Sequence, residues 1–252
     1  MALEDQVAQL VSLGGQNLAL PQQIKNEADA QIARVGAAFA ANAANATAFP
    51  YVDQTQGSDT AEGSEAAPLR TIKEALKRTA VHGSCFVRLL SDYHIDGEHI
   101  EVIDRRLDIS SATSVRRTIS HQPFIGATGG TSHKDVYGFL LTRSGHIAMS
   151  GVVHVLPGDP AGSAGLSYGL EAALVRPRAG VVDISVSIRA ATIQRAANAT
   201  YPMLRTDGRR THLDAIGVAF NDQPMGGYWL QNVAAGTDPA TLDYLTTNLG
   251  TL

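Results

Sequence analysis

The sequence predicts a mostly β chain in which an N-terminal helical segment is followed by a parallel β-helix, a single-stranded solenoid capped by short helices. Three observations predict this class. Apolar residues recur every three or four positions up to about residue 48, which is typical of a helix. The rest of the chain consists of short β-prone runs separated by turn signals. Its second half also repeats with a period of about 30 residues, as solenoid proteins do.

Composition and charge exclude several classes of protein. The chain has 252 residues, of which 44% are hydrophobic, enough to bury a sizeable core. Its net charge of −4 gives no basic excess to attract nucleic acid, and no run of about 18 apolar residues could span a bilayer. The lone cysteine, Cys85, cannot form a disulfide within the chain, and the acidic start lacks the pattern of a signal peptide. We therefore expect a soluble chain made in a cytoplasm, with no nucleic-acid partner and no membrane insertion.

Residues 2–48 are predicted to be helical, with an interruption at Gly14 and Gly15 and a restart at Pro21. The second part carries one thin apolar stripe: Ile24, Ala28, Ile32, Val35, Phe39 and Ala43. A lone helix of this kind gains little from burial, because helix stability comes mainly from packing against other elements. We therefore expect residues 1–49 to self-associate or to dock on another protein. The alternative is an ordinary terminal helix packed on its own domain.

The stretch YVDQTQGSDTAEGSEAAPLRTIKEAL, residues 51–76, is predicted to join the helical segment to the β domain, residues 50–252. Its first half is acidic and rich in Gly and Ser, which is typical of a loop. Its second half has capping-box spacing between Thr71 and Glu74, which predicts a helix over about residues 71–80. We expect that helix to close one end of the solenoid.

The repeat is marked by tyrosines at the start of each unit, at Tyr137, Tyr168, Tyr201 and Tyr228. Successive tyrosines are separated by about 30 residues, a spacing typical of solenoid repeats. Each unit reads as strands and turns with no helical pattern, so a parallel β-helix fits best. An antiparallel sandwich or jelly roll stays open as the alternative, because four irregular copies do not exclude it.

The C-terminal stretch TDPATLDYLTTNLG predicts a short helix over about residues 239–248. Asp238 is placed to cap it, Pro239 occupies the first helical position, and Gly250 lies beyond its end. Such a helix would cover the last strands, whose unpaired edges could otherwise pair with other chains.

The junction also carries a pattern that resembles a known fold. Its Val-Asp strand, Gly-Ser-Asp loop and Pro-apolar-x-Thr-Ile segment are similar to the opening segment of pectate-lyase-like right-handed β-helices. The matching residues are Val52, Asp53, Gly57, Ser58, Asp59, Gly63, Pro68, Leu69, Thr71, Ile72 and Ala75. The resemblance implies a right-handed coil, but enzymes and binding proteins share this fold.

The preceding segment, MALEDQVAQLVSLGGQNLALPQQIKNEADAQIARV, resembles the N-terminal attachment segments of tailed-phage fibres and spikes. The two resemblances imply a bacteriophage tail fibre or tailspike-like protein, a structural virion protein that forms a homotrimer and has no cofactor. Residues 1–49 would bind a tail, baseplate or collar protein. Loops near Tyr228 and Trp229 would meet a host-surface glycan or receptor. We expect the chain in the virion tail after assembly in the host cytoplasm.

Two other functions remain open at this point, a polysaccharide depolymerase and a β-helix protein unrelated to phage. A sugar-cleaving enzyme needs two carboxylates at about 5 to 9.5 Å, and neighbouring coils of a solenoid are about 4.8 Å apart. Aligning VVDISV with HLDAIGV puts Asp183 opposite Asp214, with both side chains outward from Val182 and Leu213. The ordinary interpretation is two solvated surface carboxylates, so we predict no catalytic residue and keep this pair as the alternative.

Two further motifs are assigned to structure rather than to chemistry. The run DYHIDGEHIE gathers possible metal ligands, but Asp96-Gly97 is first a turn signal and the remaining polar residues alternate with Ile95 and Ile100. We therefore predict no metal site. The glycine-rich IGATGGTSH lacks the Lys-Ser/Thr ending of a phosphate-binding loop and is interpreted as a loop between coils.

Overall fold

The computed structural model describes residues 3–44, 46–178, 183–196, 198, 201–221 and 225–252. The elements are, in order, α1 Leu3–Ala44, β1 Thr47–Ala48, β2 Tyr51–Val52, α2 Ile72–Arg78, β3 Ser84–Leu89, β4 Tyr93–Ile95, β5 Ile100–Ile103, β6 Arg106–Ser111, β7 Thr118–His121, β8 Pro123–Thr128, β9 Thr131–Val136, β10 Phe139–Thr142, β11 His146–Ser150, β12 Val153–Leu156, β13 Val175–Pro177, β14 Asp183–Arg189, β15 Thr192–Arg195, β16 Arg210–Ile216, β17 Ala219–Phe220, a 3-10 turn Pro239–Thr241, and β18 Leu245–Thr247.

The chain divides into a helical unit and a β-rich unit, and the division falls after Ala44. The predicted boundary, after Phe49, lies slightly further along the chain. The difference arises because β1 already pairs with β3, with Thr47 beside Ser84. The segment just before Pro50 therefore belongs to the sheet and not to the helix.

The helical unit is one continuous helix of 42 residues, α1. The predicted interruption at Gly14 and Gly15 and restart at Pro21 are therefore wrong. A proline inside a helix removes one backbone hydrogen bond and costs about 3 kcal/mol, and the helix nevertheless continues across it. Among the helices described, none is both long and apolar enough to cross a membrane.

The described residues of the β-rich unit form three parallel sheets. The first has the order β1-β3-β6-β11-β14-β16-β18, with β2 also paired to β3; the second is β17-β15-β12-β7-β4; the third is β13-β10-β5. The chain visits them in one repeated order. It passes from β5 to β6 to β7, then from β10 to β11 to β12, and then from β13 to β14 to β15. We call each such passage through the third, first and second sheets a rung.

Neighbouring rungs stack their inward side chains in register. In the first sheet, one column consists of Cys85, Leu107, Ile147, Val186 and Leu213, which are adjacent strand by strand and fully buried. Alternate residues of a strand point to opposite faces, so one face of each strand supplies the core and the other meets solvent. The core of this unit therefore lies between the three sheets, where no rung could bury its apolar face alone.

The rungs are less regular than the tyrosine spacing predicts. Positions that lie side by side in the first sheet include Arg106 and His146, His146 and Ser185, and Ser185 and His212. The number of residues between the two paired positions is nearly equal for the first two pairs and clearly smaller for the third. Equal repeats are therefore a poor guide to which residues face each other.

An antiparallel hairpin, β8–β9, accounts for part of the irregularity, because it is inserted between a strand of the second sheet and a strand of the third. Its turn is Gly129-Gly130, and both residues have positive φ, 60° and 80°, as a tight hairpin turn of this kind requires. The IGATGGTSH stretch is thus a hairpin rather than a simple loop between coils.

The junction before α2 is tied down by hydrogen bonds along its length. Asp59 Oδ1 accepts from the backbone N–H groups of Arg70, at 3.0 Å, and Thr71, at 2.8 Å. Thr71 Oγ1 accepts from the N–H of Glu74 at 3.1 Å, which is half of the predicted capping box. The carboxylate of Glu74 bonds instead to Arg78 at 2.9 Å. Asp59 therefore takes the place of Glu74 as the acceptor of the Thr71 N–H. Helix α2 lies within the predicted residues 71–80.

The C-terminal segment differs from its prediction. Asp238 does accept from the N–H of Ala240 at 2.9 Å, but the helical part is only the 3-10 turn. The residues that follow form β18, whose Leu245 lies beside Thr211 in the first sheet. The predicted helix over 239–248 is wrong because pairing with β16, a contact distant in sequence, outweighs the local capping signal.

Candidate functional site

The structure does not bring together the two aspartates considered as a catalytic pair. Asp183 lies beside Arg210 on the neighbouring strand, whereas Asp214 lies beside Ser187. The two aspartates are therefore offset by four positions along the strands, roughly 13 Å at about 3.3 Å per residue. The sequence alignment placed Val182, which lies outside the described residues, against Leu213. The residue beside Leu213 is Val186.

Each of these carboxylates also has a cationic neighbour. Arg189 Nη2 lies 3.2 Å from Asp214 Oδ2, and Arg210 Nε lies 3.9 Å from Asp183 Oδ1. The predicted opposition of the pair is wrong, and the two carboxylates belong to two separate ion pairs instead. Asp183 is exposed, whereas the side chain of Asp214 is only 14% exposed.

The residues of DYHIDGEHIE bind separate partners. His94 Nδ1 lies 2.8 Å from the Ser120 hydroxyl, and Glu98 pairs with Lys73 at 2.6 Å. His99 contacts Glu171, which is distant in sequence. Within the residues that the structure describes, no group of three or more His, Cys, Asp or Glu side chains is arranged to hold a metal ion.

Of the two aromatic residues named for the host-contacting loops, Trp229 is buried and Tyr228 is half-buried. Trp229 is 4% exposed and packs edge-to-face against Phe220, with ring centroids 5.9 Å apart. The Tyr228 ring lies 3.9 Å beneath the guanidinium of Arg195. Trp229 is therefore a core residue and does not present a surface ring.

A groove of about 850 Å³ lies over the outward face of the third sheet and is the best candidate for a ligand site. Its floor contains Glu101, Leu140 and Arg176, which are adjacent on the three strands of that sheet. Helix α2 and the hairpin β8–β9 contribute to its walls. This size is in the range of pockets that hold small molecules or a few sugar units. The residues lining it are Lys73, Leu76, Lys77, Gly97, Glu98, His99, Glu101, Ile103, Arg105, Phe124, Tyr137, Leu140, Glu171, Arg176 and Arg178.

Two stacked aromatic rings form an apolar part of the groove wall. The rings of Phe124 and Tyr137 have centroids 4.3 Å apart, and the angle between their planes is 19°. Tyr137 also meets the His99 ring edge-to-face at 5.4 Å. Both rings of the stack are partly exposed, so they offer a flat apolar surface to a ligand.

The carboxylate of Glu171 is held ionised at the groove. His99 Nδ1 accepts from the backbone N–H of Gly138 at 3.1 Å, so a neutral His99 carries its proton on Nε2. That nitrogen donates to Glu171 at 3.0 Å, and Arg176 donates to the same carboxylate at 2.8 Å. Burial alone would raise the pKa of Glu171, but the His99 hydrogen bond and the Arg176 charge lower the pKa overall below its usual range.

The remaining charges of the groove are only partly balanced. Glu101 pairs with Arg178 at 2.7 Å. Arg105 donates to the carbonyl oxygens of Thr79, at 3.0 Å, and Ile103, at 2.8 Å. Its charge is thus held at the groove by neutral acceptors. The lining includes five cationic side chains and three carboxylates. The groove therefore favours a polar ligand with an apolar face and hydroxyl or acidic groups.

Sequence reasoning missed this groove because no local motif joins its parts. They come from α2, from the strand after the Asp-Gly turn, from the hairpin and from the run VRPR. The alternation around Glu101 and Arg176 does predict outward side chains. Nothing in the sequence shows that both residues lie beside Leu140, one on each neighbouring strand. The aromatic wall depends on the inserted hairpin, whose sequence predicts only a loop between coils.

Comparison of the chain with known protein families, with curated proteins and with solved structures finds no significant match. The structure by itself shows a mostly β chain with several parallel sheets, a long helix, and a groove lined by polar and aromatic residues.

Proposed function

We propose that this chain is a structural virion protein, a homotrimeric bacteriophage tail fibre or short tailspike-like protein built on a right-handed β-helix. The observation that carries the proposal is the combination of α1, whose large apolar side chains are exposed wherever the structure describes them, with a stack of parallel rungs that follows directly in the chain. The first part is suited to assembly and attachment, and the second to a rigid projecting body.

The β-helix is supported by the order in which the rungs are made. A chain that visits three parallel sheets repeatedly in one order, with buried columns in register, has the topology that a β-helix requires. Crossover connections between parallel strands are right-handed in nearly all proteins, which favours the right-handed form. The junction pattern around residues 52–75 resembles the opening segment of that fold.

A homotrimer is supported by the state of α1 in the single chain. Val7, Leu10, Ile24, Ile32 and Val35 are each more than half exposed. Copies of the same helix are the simplest partners that could cover such a stripe, because each supplies the surface that the others lack. The same segment, residues 1–49, is proposed to attach to a tail, baseplate or collar protein.

Attachment to the host is proposed to use the groove over the third sheet, since Trp229 is buried. A sugar ring has apolar faces that could lie on the Phe124–Tyr137 stack, and its hydroxyl groups could bond to Glu171, Arg176 and Arg178. An array of bacterial surface glycans is the direct probe for this binding. Binding that Tyr137→Ala weakens supports the role, and an array with no binding contradicts it.

The groove favours binding over cleavage. A glycoside hydrolase needs one carboxylic acid that stays protonated near neutral pH. Glu171 has the opposite electrostatics, because two donors lower the pKa of its carboxyl. A reducing-sugar assay separates the two functions, and release of reducing ends that Glu171→Gln abolishes would favour the depolymerase alternative.

The location on a virion is tested by labelling. Antibodies raised against this chain, bound to gold and applied to particles that contain it, should label the tail. Label on the capsid, or none on intact particles, would contradict the proposal and would favour a β-helix protein unrelated to phage.

A further inference from the structure

The apolar stripe on the second half of α1 follows an 11-residue repeat. Each of its first three members is matched one repeat later by another apolar residue: Ile24 by Val35, Ala28 by Phe39, and Ile32 by Ala43. Such a repeat corresponds to about 3.67 residues per turn, slightly more than in a free helix, whereas a coiled coil with a seven-residue repeat needs about 3.5.

A seven-residue repeat fits this part of the helix poorly. Continued from Ile24 and Ala28, it would place Gln31 and Asn42 in the contact face. The 11-residue repeat places only apolar residues there, and it includes Ile32 where the other repeat has Gln31. The two repeats therefore predict different contact residues at neighbouring positions.

The described part of the stripe is exposed. Ile24 is 60% exposed, Ile32 69% and Val35 66%. Exposed apolar residues that line one face of a helix mark an interaction surface, in contrast to apolar residues scattered singly.

Charged residues beside the stripe fit a second copy of the same helix. At about 100° per residue, Lys25 and Asp29 lie on one flank of the stripe, and Glu27 and Arg34 lie on the other. Lys25 and Asp29 pair with each other within one helix at 2.8 Å. In a parallel arrangement, one flank faces the opposite flank of the next copy, so that Lys25 is set near Glu27 and Asp29 near Arg34.

We infer that Ile24, Ala28, Ile32 and Val35 form the contact face between parallel copies of this chain, packed with an 11-residue repeat. This inference rests on the proposed function, which requires self-association, and adds its contact face and its geometry. The helices would run nearly straight or with a right-handed supercoil, in contrast to the left-handed supercoil of seven-residue repeats.

Cysteine cross-linking of the full chain tests the inference. The native Cys85 is fully buried, so an introduced cysteine is the accessible thiol. Three variants at adjacent positions form a matched set: Ile32→Cys in the 11-residue face, Gln31→Cys in the seven-residue face, and Ala30→Cys on the opposite side of the helix. Each is oxidised with copper phenanthroline and analysed on a non-reducing gel, and the mass of the untreated wild-type chain is measured in parallel.

We expect Ile32→Cys to form linked pairs at least about ten-fold faster than Gln31→Cys, because a disulfide needs Cβ atoms about 4 Å apart. Ala30→Cys should form no linked pairs and should migrate as a single chain. Equal or faster linking of Gln31→Cys would overturn the 11-residue repeat. A wild-type mass of three chains with no linking in any variant would overturn the contact face but leave the trimer standing. A wild-type monomer would overturn the proposed trimer and this inference together.

Discussion

Two buried histidines inside the β-rich unit should make its stability fall steeply in mild acid. His121 is 2% exposed and His154 is fully buried, and their Nε2 atoms lie 2.7 Å apart. His121 Nδ1 lies 2.8 Å from the carbonyl oxygen of Tyr137. A carbonyl only accepts, so His121 is protonated on Nδ1 and must accept at Nε2 from His154. This leaves His154 Nδ1 as a buried atom with no hydrogen-bond partner among the residues that the structure describes. Because burial lowers the pKa of each ring, both histidines are neutral at neutral pH.

The magnitude follows from the change in pKa on folding. Burial lowers the pKa of His121 to about 4 and lowers the pKa of His154 well below its usual 6.5. Because both pKa values are depressed, the unfolded chain binds more protons below about pH 6.5, and stability is lost as the pH falls from there. Each histidine contributes a slope of at most about 1.4 kcal/mol per pH unit. Between about pH 6.5 and pH 4 this amounts to about 3 kcal/mol for His121, and His154 adds a loss of the same sign.

Urea unfolding at a series of pH values from neutral to mildly acidic measures this slope. The double variant His121→Leu/His154→Leu removes both titrating groups together with the hydrogen bond that joins them, so its free energy of unfolding should change with pH much less than that of the wild type. Val115→Ala is the control, because Val115 is exposed and a valine side chain does not titrate, so this change leaves both buried histidines in place. A double variant with the wild-type slope would refute the reasoning.

Three further predictions concern single positions. Ile147→Ala should lower the free energy of unfolding by about 2 to 5 kcal/mol in urea, because it opens a cavity in a fully buried column; a loss well below about 1 kcal/mol would contradict the stacked core. Gly57→Ala should lower the melting temperature, since a Cβ there would collide with two backbone carbonyl oxygens, whereas Gly250→Ala has open space and should not; equal melting temperatures would contradict the packed junction. Phe124→Ala should weaken glycan binding about ten-fold through loss of the aromatic stack, measured by calorimetry on the best glycan of the array. Ile125→Ala, an exposed neighbour, is its control, and equal affinities would place the ligand elsewhere.

Local signals predicted much of the secondary structure but little of the register. The helix after Thr71 could be predicted because a hydroxyl at the N-cap and the N–H three residues later lie within one turn. The helix predicted after Asp238 failed although its cap is real, since residues near Leu245 gain more by pairing with a distant strand.

The candidate site shows the same limit. The opposition of Asp183 and Asp214 depended on equal rungs, and the step from β14 to β16 is shorter than the steps before it. A shift of four positions preserves the inward and outward alternation, so the alternating apolar pattern of the sequence is the same in both registers and could not indicate the shift. The groove depends on strand pairing between segments far apart in the chain, such as Glu101 beside Leu140, and only the fold brings them together.

The mass of the full chain in solution is the most direct test of the account. Light scattering on the wild type should give three times the 26.5 kDa chain mass. Val35→Asp, which places a charge in the contact face of α1, should shift that mass toward a single chain while the circular dichroism of the β-rich unit is retained. A wild-type chain that is monomeric at micromolar concentration, with α1 intact, would contradict the central claim.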